Sequence, residues 1–315
     1  MVHASLIVVL VLALFSCNNA PTPAPTPQPT QKRAERPQID RRMVEKIAPF
    51  SGISGLSGGP EGSLWAVAEN RPRLLRFTPS DDGPWVLQKP TFPIVNAPQH
   101  VDFEAITALD DDLFAIGTES GVNDRKTDLI AIVRLQGKQA SVVGSAQFPY
   151  EDWDLRGTNN TGIEGVCAAG SSLLAASEVR GRQDGRRWAP LGVVDWRQAV
   201  AKTPAATIAW RHYKLMLSSD TGKISALACH EAAGKITVLA IERHYGISHL
   251  LRFTLPAEPG IIEPKVVLDL APYFDAIPNL EGLVWDESGL VRMVSDNKYL
   301  FITGPTEIFS LVLPR

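Results

Sequence analysis

Apolar residues in this chain gather in short runs, and the runs come in pairs joined by polar turns. The pattern is clear in NTGIEGVCAAGSSLLAASEV, residues 160–179: a polar lead-in, a run carrying Glu164, a Gly-Ser-Ser turn, and a second run ending on Glu178. Two apolar runs around a tight turn of this composition predict a β-hairpin.

The same unit recurs in altered spelling. ISGLSGGPEGSLWAVAEN starts at Ile53, FEAITALDDDLFAIGTES at Phe103, ISALACHEAAGKITVLAIER at Ile224 and LEGLVWDESGLVRMVSDN at Leu280. With the unit at Ile163 this makes five versions, whose starts are about 50 to 61 residues apart. Further strand-like sequence follows the hairpins: RLLRFTP and WVLQKPTF, DLIAIVRL and ASVVGSAQF, LGVVDW and ATIAWRHY, HLLRFTL and PKVVLDL. Four strands per repeat predict an all-β fold, a β-propeller with four-stranded blades, because such sheets bury both faces only between neighbours packed around an axis. Five blades are favoured over six; VDWRQAVAK reads as a short helical insertion within one of the longer spacings. A pair of β-sandwiches is the alternative. The last repeat is a strand short, and residues 42–50 precede the first hairpin with no repeat of their own, so an N-terminal strand is expected to close the last blade.

In a hairpin two residues face each other when their midpoint falls on the turn. Glu164 and Glu178 centre on Ser171, and Glu104 and Glu119 centre within the Asp-Asp-Asp turn. Glu281 with Asp296, Ser54 with Glu69, and Ser225 with Glu242 obey the same rule. If the hairpins supply the innermost strands, these ten positions, eight of them carboxylates, ring the mouth of the channel. Like charges so confined raise one another's pKa values and call for a cation. Calcium, which takes six to eight oxygen ligands, is the economical choice, with Glu69, Glu104, Glu119, Glu164, Glu281 and Asp296 as candidate metal ligands. Arg71, Arg180, Arg243 and His244 follow the second-strand acids and are placed either to neutralise the ring or to hold an anionic substrate. Alternatively, the acids tie adjacent blades together through backbone N–H groups. Asp102, Asn160 and Asn279 lie just ahead of the first-strand acids and either add oxygen ligands or cap loops.

The order of these motifs, ending in Asn-Leu-Glu-Gly and Ser-Asp-Asn, resembles the phytase-like domain family, also described as esterase-like activity of phytase, over about residues 47–315. The resemblance implies a propeller, calcium dependence, and hydrolysis of phosphoesters or carboxylesters. On that expectation the catalytic candidates are Glu164, Glu178, Arg180, Glu242 and Arg243. A glutamate of the ring would be the general base, and Arg180 or Arg243 would hold the anion of a small anionic or ester substrate. The rival readings are a non-enzymatic propeller that binds a ligand or an envelope partner, and a lactonase or carboxylesterase. The sequence contains no His-Glu-x-x-His helix or phosphate loop.

Composition adds the compartment. The 315 residues are 44% hydrophobic and 21% charged, which suits a large core, and the net charge of −3 gives no basic footprint for nucleic acid. SLIVVLVLALF, residues 5–15, has the length of a signal-peptide core, and Leu-Phe-Ser-Cys at 14–17 resembles a bacterial lipoprotein box. Residues 1–16 are therefore expected to be removed and Cys17 lipidated; an ordinary secretory signal is the other reading. Residues 17–36 form a Pro/Thr-rich tether and residues 37–315 the folded domain, a monomer expected in the cell envelope, on the outer membrane or in the periplasm. The lipid would be its sole membrane attachment. Cys167 and Cys229 either pair in an oxidising compartment or serve as buried small residues.

Overall fold

The computed structural model describes residues 37–313 apart from positions 49, 51, 70, 82, 202–207 and 297–303. The signal run, Cys17 and the Pro/Thr segment lie outside the described residues. None of the described helices is long and apolar enough to cross a membrane.

The chain is all-β. Its five repeats open with antiparallel hairpins: Ile53–Gly58 with Leu64–Ala68, Val101–Asp110 with Leu113–Ser120, Ile163–Ala169 with Ser172–Ser177, Lys223–Ala232 with Lys235–His244, and Asn279–Trp285 with Leu290–Asp296. Outer strands add to each hairpin, such as Thr127–Gln136 and Gln139–Pro149 beside the second. The insertion read as helical is a short α-helix, Trp196–Ala201. In the last repeat Glu307–Val312 pairs antiparallel with the N-terminal strand Asp40–Glu45, so the two ends of the domain meet in one sheet.

The leading strands of successive hairpins pack side by side, and the fifth packs against the first, which closes the circuit. The core is correspondingly divided. Separate apolar clusters lie between repeats one and two (Trp65, Ile106, Phe114), two and three (Phe148, Val166, Leu173), three and four (Leu174, Leu227, Leu251), four and five (Leu239, Leu283, Met293), and five and one (Leu56, Phe77, Val294). This explains why second strands read as unbroken apolar runs rather than alternating ones. Leu173–Ala176 and Val238–Ile241 are buried throughout because each sheet face meets a neighbour.

A second regularity lies in the leading strands. Each carries a one-residue β-bulge, at Ser54, Glu104, Glu164, Ser225 and Glu281, seen as a register shift between the residues on either side. The residue after the bulge is always small: Gly55, Ala105, Gly165, Ala226 or Gly282. A Cβ at Gly55 would lie 2.8 Å from the backbone nitrogen of Ile106, and one at Gly282 would lie 2.7 Å from that of Leu56. The apolar–Glu/Ser–small motif thus combines a bulge that re-aims one side chain with the close approach of neighbouring strands.

Cys167 and Cys229 form a disulfide, with their Cα atoms 5.5 Å apart, joining the leading strands of repeats three and four.

Candidate functional site

The bulges decide where the acids go. At Ser54 and Ser225 the short hydroxyl stays between repeats and donates to a carbonyl of a neighbouring leading strand: Phe103 O for Ser54, and Leu280 O at 2.7 Å for Ser225. At Glu104, Glu164 and Glu281 the longer side chains reach a cavity of about 330 Å³ at one end of the circuit. Second-strand residues Glu69, Glu119, Glu178 and Asp296 line the same cavity, as do Asp102, Asn160 and Asn279. All six predicted metal ligands therefore converge, together with Glu178.

None of the hairpins keeps the midpoint pairing of Ser54 with Glu69, Glu104 with Glu119, Glu164 with Glu178, Ser225 with Glu242 or Glu281 with Asp296, because the bulge shifts each ladder. Asp102 pairs with Glu119 and Asn279 with Asp296, so the second-strand acid faces the residue two places before the bulge. In repeat four that register pairs Lys223 with Arg243, whereas Glu242 faces Ile224. Glu242, predicted as a ring acid and catalytic residue, is therefore turned away from the cavity. It is fully buried and accepts bonds from the backbone N–H and hydroxyl of both Ser218 and Ser219, at 2.6–3.1 Å. The midpoint rule placed it one residue out of phase. Arg243 occupies the acid's place, and Lys223, which sequence reasoning missed, stands opposite. The available signal was positional, since Lys223 lies two residues ahead of the bulge, like Asp102 and Asn279.

Arg180 is not among the cavity-lining residues either. Its guanidinium donates to the carbonyls of Thr221 (2.7 Å) and Gly222 (3.2 Å), holding the loop that also wraps Glu242. Arg71 likewise does not line the cavity, whereas His244 does.

The two cations are engaged with carboxylates. Arg243 bonds Glu281 and the Leu280 carbonyl (3.0 Å) and lies 3.9 Å from Glu178, which also bonds Lys223. Burial works against the Arg243 charge, but Glu281 and Glu178 more than offset it and raise its pKa. Asn279 donates to Glu281 at 2.7 Å. The other Glu281 oxygen, Oε2, is buried and accepts no hydrogen bond among the described residues.

Despite these cations, negative charge is crowded. Burial, then Glu119, Glu69, Glu281 and Asp102, holds Glu104 well above the usual carboxylate range. Glu164 is raised in the same way by burial and by Glu178, Glu104, Glu281 and Glu119. Burial and Glu178 push Glu119 up to about 7 against the opposing effects of Glu164 and Arg125. Burial lifts Glu281 to about 7 despite Arg243. Oxygens of Asp102, Glu104 and Glu119 lie within 4.8 Å of one another. An all-oxygen donor set at this spacing fits a hard divalent cation, whose charge would relieve the crowding.

The profile of the family described as "Phytase-like: Esterase-like activity of phytase" matches residues 48–299, and the chain belongs to that family. No curated protein matches the sequence. Similar solved structures include the PQQ-bound aldose sugar dehydrogenase of Streptomyces coelicolor, at 12% identity and TM-score 0.46, covering 87% of this chain and 98% of that one. The α-L-arabinanase of Penicillium chrysogenum gives 12% identity and TM-score 0.46, over 86% and 85% of the two chains. GH43B from the xyloglucan locus of Bacteroides ovatus gives 14% identity and TM-score 0.48, over 86% of this chain and 54% of that one. Likenesses at this level say nothing of chemistry.

Proposed function

We propose that this protein is an exported five-bladed β-propeller of the cell envelope that uses the acidic cavity to bind calcium and hydrolyse a phosphoester. The observation that carries the reading is the meeting, in one cavity, of the Asp102–Glu104–Glu119 oxygen cluster with the Arg243–Lys223 pair. The circuit of leading strands and the pairing of Asp40–Glu45 with Glu307–Val312 support the propeller and its closure. The Cys167–Cys229 disulfide supports export to an oxidising compartment. Lipidation of Cys17 and attachment to the outer membrane belong to the same proposal.

Asp102, Glu104 and Glu119 would hold the ion, with Glu69 close by. When bound, calcium supplies positive charge to the phosphoryl oxygens and makes a nearby water more acidic. Arg243 and Lys223 orient the anionic group from the other wall by exchanging part of their bonding to Glu281 and Glu178 for bonding to substrate. Glu164, next to both acid groups, takes the proton of the attacking water. A general base must be ionised, so added positive charge that lowers its raised pKa favours this role.

The test is hydrolysis of 4-nitrophenyl phosphate and 4-nitrophenyl acetate with calcium or with chelator. Phosphate-ester turnover that chelator abolishes and that Glu164→Gln lowers at least 100-fold is expected. Turnover of the acetate alone would favour the carboxylesterase reading, and calcium binding without turnover of either would favour the binding module.

A further inference from the structure

The cavity has a third wall that neither the ion cluster nor the cation pair uses. His244, Tyr245, Ile247, Ile277 and Pro278 line it. Tyr245 and Gly246 form the turn between Lys235–His244 and Ile247–Thr254, so the chain runs directly from Arg243 onto this wall. Tyr245 is 79% exposed, although it is a large aromatic at the cavity rim, and its ring meets that of His244 edge to face at 4.7 Å. An exposed aromatic among the cavity-lining residues offers apolar surface to a ligand that enters beside Arg243.

The charges of the lining set a second condition. Eight carboxylates face it against one arginine and one lysine, each already engaged with a carboxylate. Even with one divalent ion bound, carboxyl groups outnumber the cations, so a ligand carrying several phosphates meets more repulsion than one carrying a single phosphoryl group, which the ion and the two cations face. Resting on the phosphoesterase reading above, we infer that the substrate class is a phosphomonoester of an apolar alcohol. Its phosphoryl group lies between the ion cluster and Arg243, and its aryl or alkyl body lies on Tyr245, Ile247, Ile277 and Pro278. In the hydrolysis the P–O bond to the alcohol breaks as water oxygen bonds to phosphorus. Water gives one proton to Glu164, the alcohol leaves with a proton from solvent, and inorganic phosphate is the other product.

Binding of two non-hydrolysable probes, benzylphosphonate and methylphosphonate, to calcium-loaded protein tests this by calorimetry, alongside inositol hexakisphosphate. The wild type is expected to favour benzylphosphonate about tenfold over methylphosphonate and to bind the hexakisphosphate no better than either. Tyr245→Ala should reduce the benzyl-to-methyl ratio to about one, and Tyr245→Phe should keep it. Equal affinities in the wild type, an unchanged ratio in Tyr245→Ala, or preference for the hexakisphosphate would overturn the substrate class while leaving the calcium-dependent phosphoesterase standing. Calcium binding without binding of any of the three would overturn phosphate chemistry at the site altogether.

Discussion

Glu119 and Glu281 stand at about 7 in the folded protein against an ordinary 4.5, and Glu104 and Glu164 are displaced in the same direction. A carboxyl whose folded pKa is raised binds more protons in the native state than in the unfolded chain. Its stabilising contribution is complete below pH 4.5 and is lost as pH rises through 7. The perturbation is therefore to strip the protein of metal with chelator and raise the pH from 5 to 8. A displacement from 4.5 to about 7 corresponds to about 3 kcal/mol per group at 1.36 kcal/mol per unit. Because the groups interact, about 3–6 kcal/mol in total is the expected loss, or on the order of 10 °C in melting temperature for a domain of this size. Thermal or urea unfolding across that pH range reads it directly. Glu119→Gln, which removes one titrating member and its charge, should flatten the profile. A melting temperature that is level or rises from pH 5 to 8 in chelator would refute the crowding of carboxyls at the cavity.

Three other outcomes follow from particular contacts. Replacing both Cys167 and Cys229 by serine opens a link spanning 62 residues and should cost about 4 kcal/mol by loop entropy, read by urea unfolding beside the oxidised wild type. Gly165→Val places a Cβ 2.7 Å from Leu227 Cγ and should cost at least about 1–3 kcal/mol, lowering the melting temperature with calcium present or absent. Glu242→Gln keeps the shape but weakens four hydrogen bonds to the Ser218–Ser219 segment, so it should lower stability by about 1–3 kcal/mol while leaving calcium affinity within twofold, measured by titration calorimetry.

The repeats, their hairpins and the family were legible because strands buried on both faces leave continuous apolar runs, and five of these carry the same punctuation. Most of the cavity's acids were legible for a related reason: Glu69, Glu119, Glu178 and Asp296 all close a second strand next to a small, hydroxylated or apolar residue. The bulges were missed because pairing arithmetic assumes an unbroken ladder, and their mark, the small residue at 55, 105, 165, 226 and 282, reads equally well as close packing of neighbouring strands. That omission put Glu242 in the ring and left Lys223 out. The Arg125 network was also hidden. Arg125, buried against Asp128, bonds the carbonyls of Thr158 and Thr161 and so pins the loop carrying Asn160 to the cavity rim. Such contacts between a side chain and a distant backbone depend on how repeats dock, which local pattern does not encode. The pairing of Cys167 with Cys229 was undecidable for the same reason, since it required knowing that their two strands are neighbours.

Glu104 offers the most direct access to the ion, because it belongs to the oxygen cluster and also sits on a bulge. Titration calorimetry of calcium into chelator-treated, desalted protein at pH 7, on wild type and Glu104→Gln, measures whether the cavity is a cation site. Saturable binding in the wild type, accompanied by a rise in melting temperature on the order of 10 °C at saturating calcium and weakened at least tenfold in the variant, is the predicted result. Absence of saturable binding in the wild type, or binding that Glu104→Gln leaves intact, would contradict it.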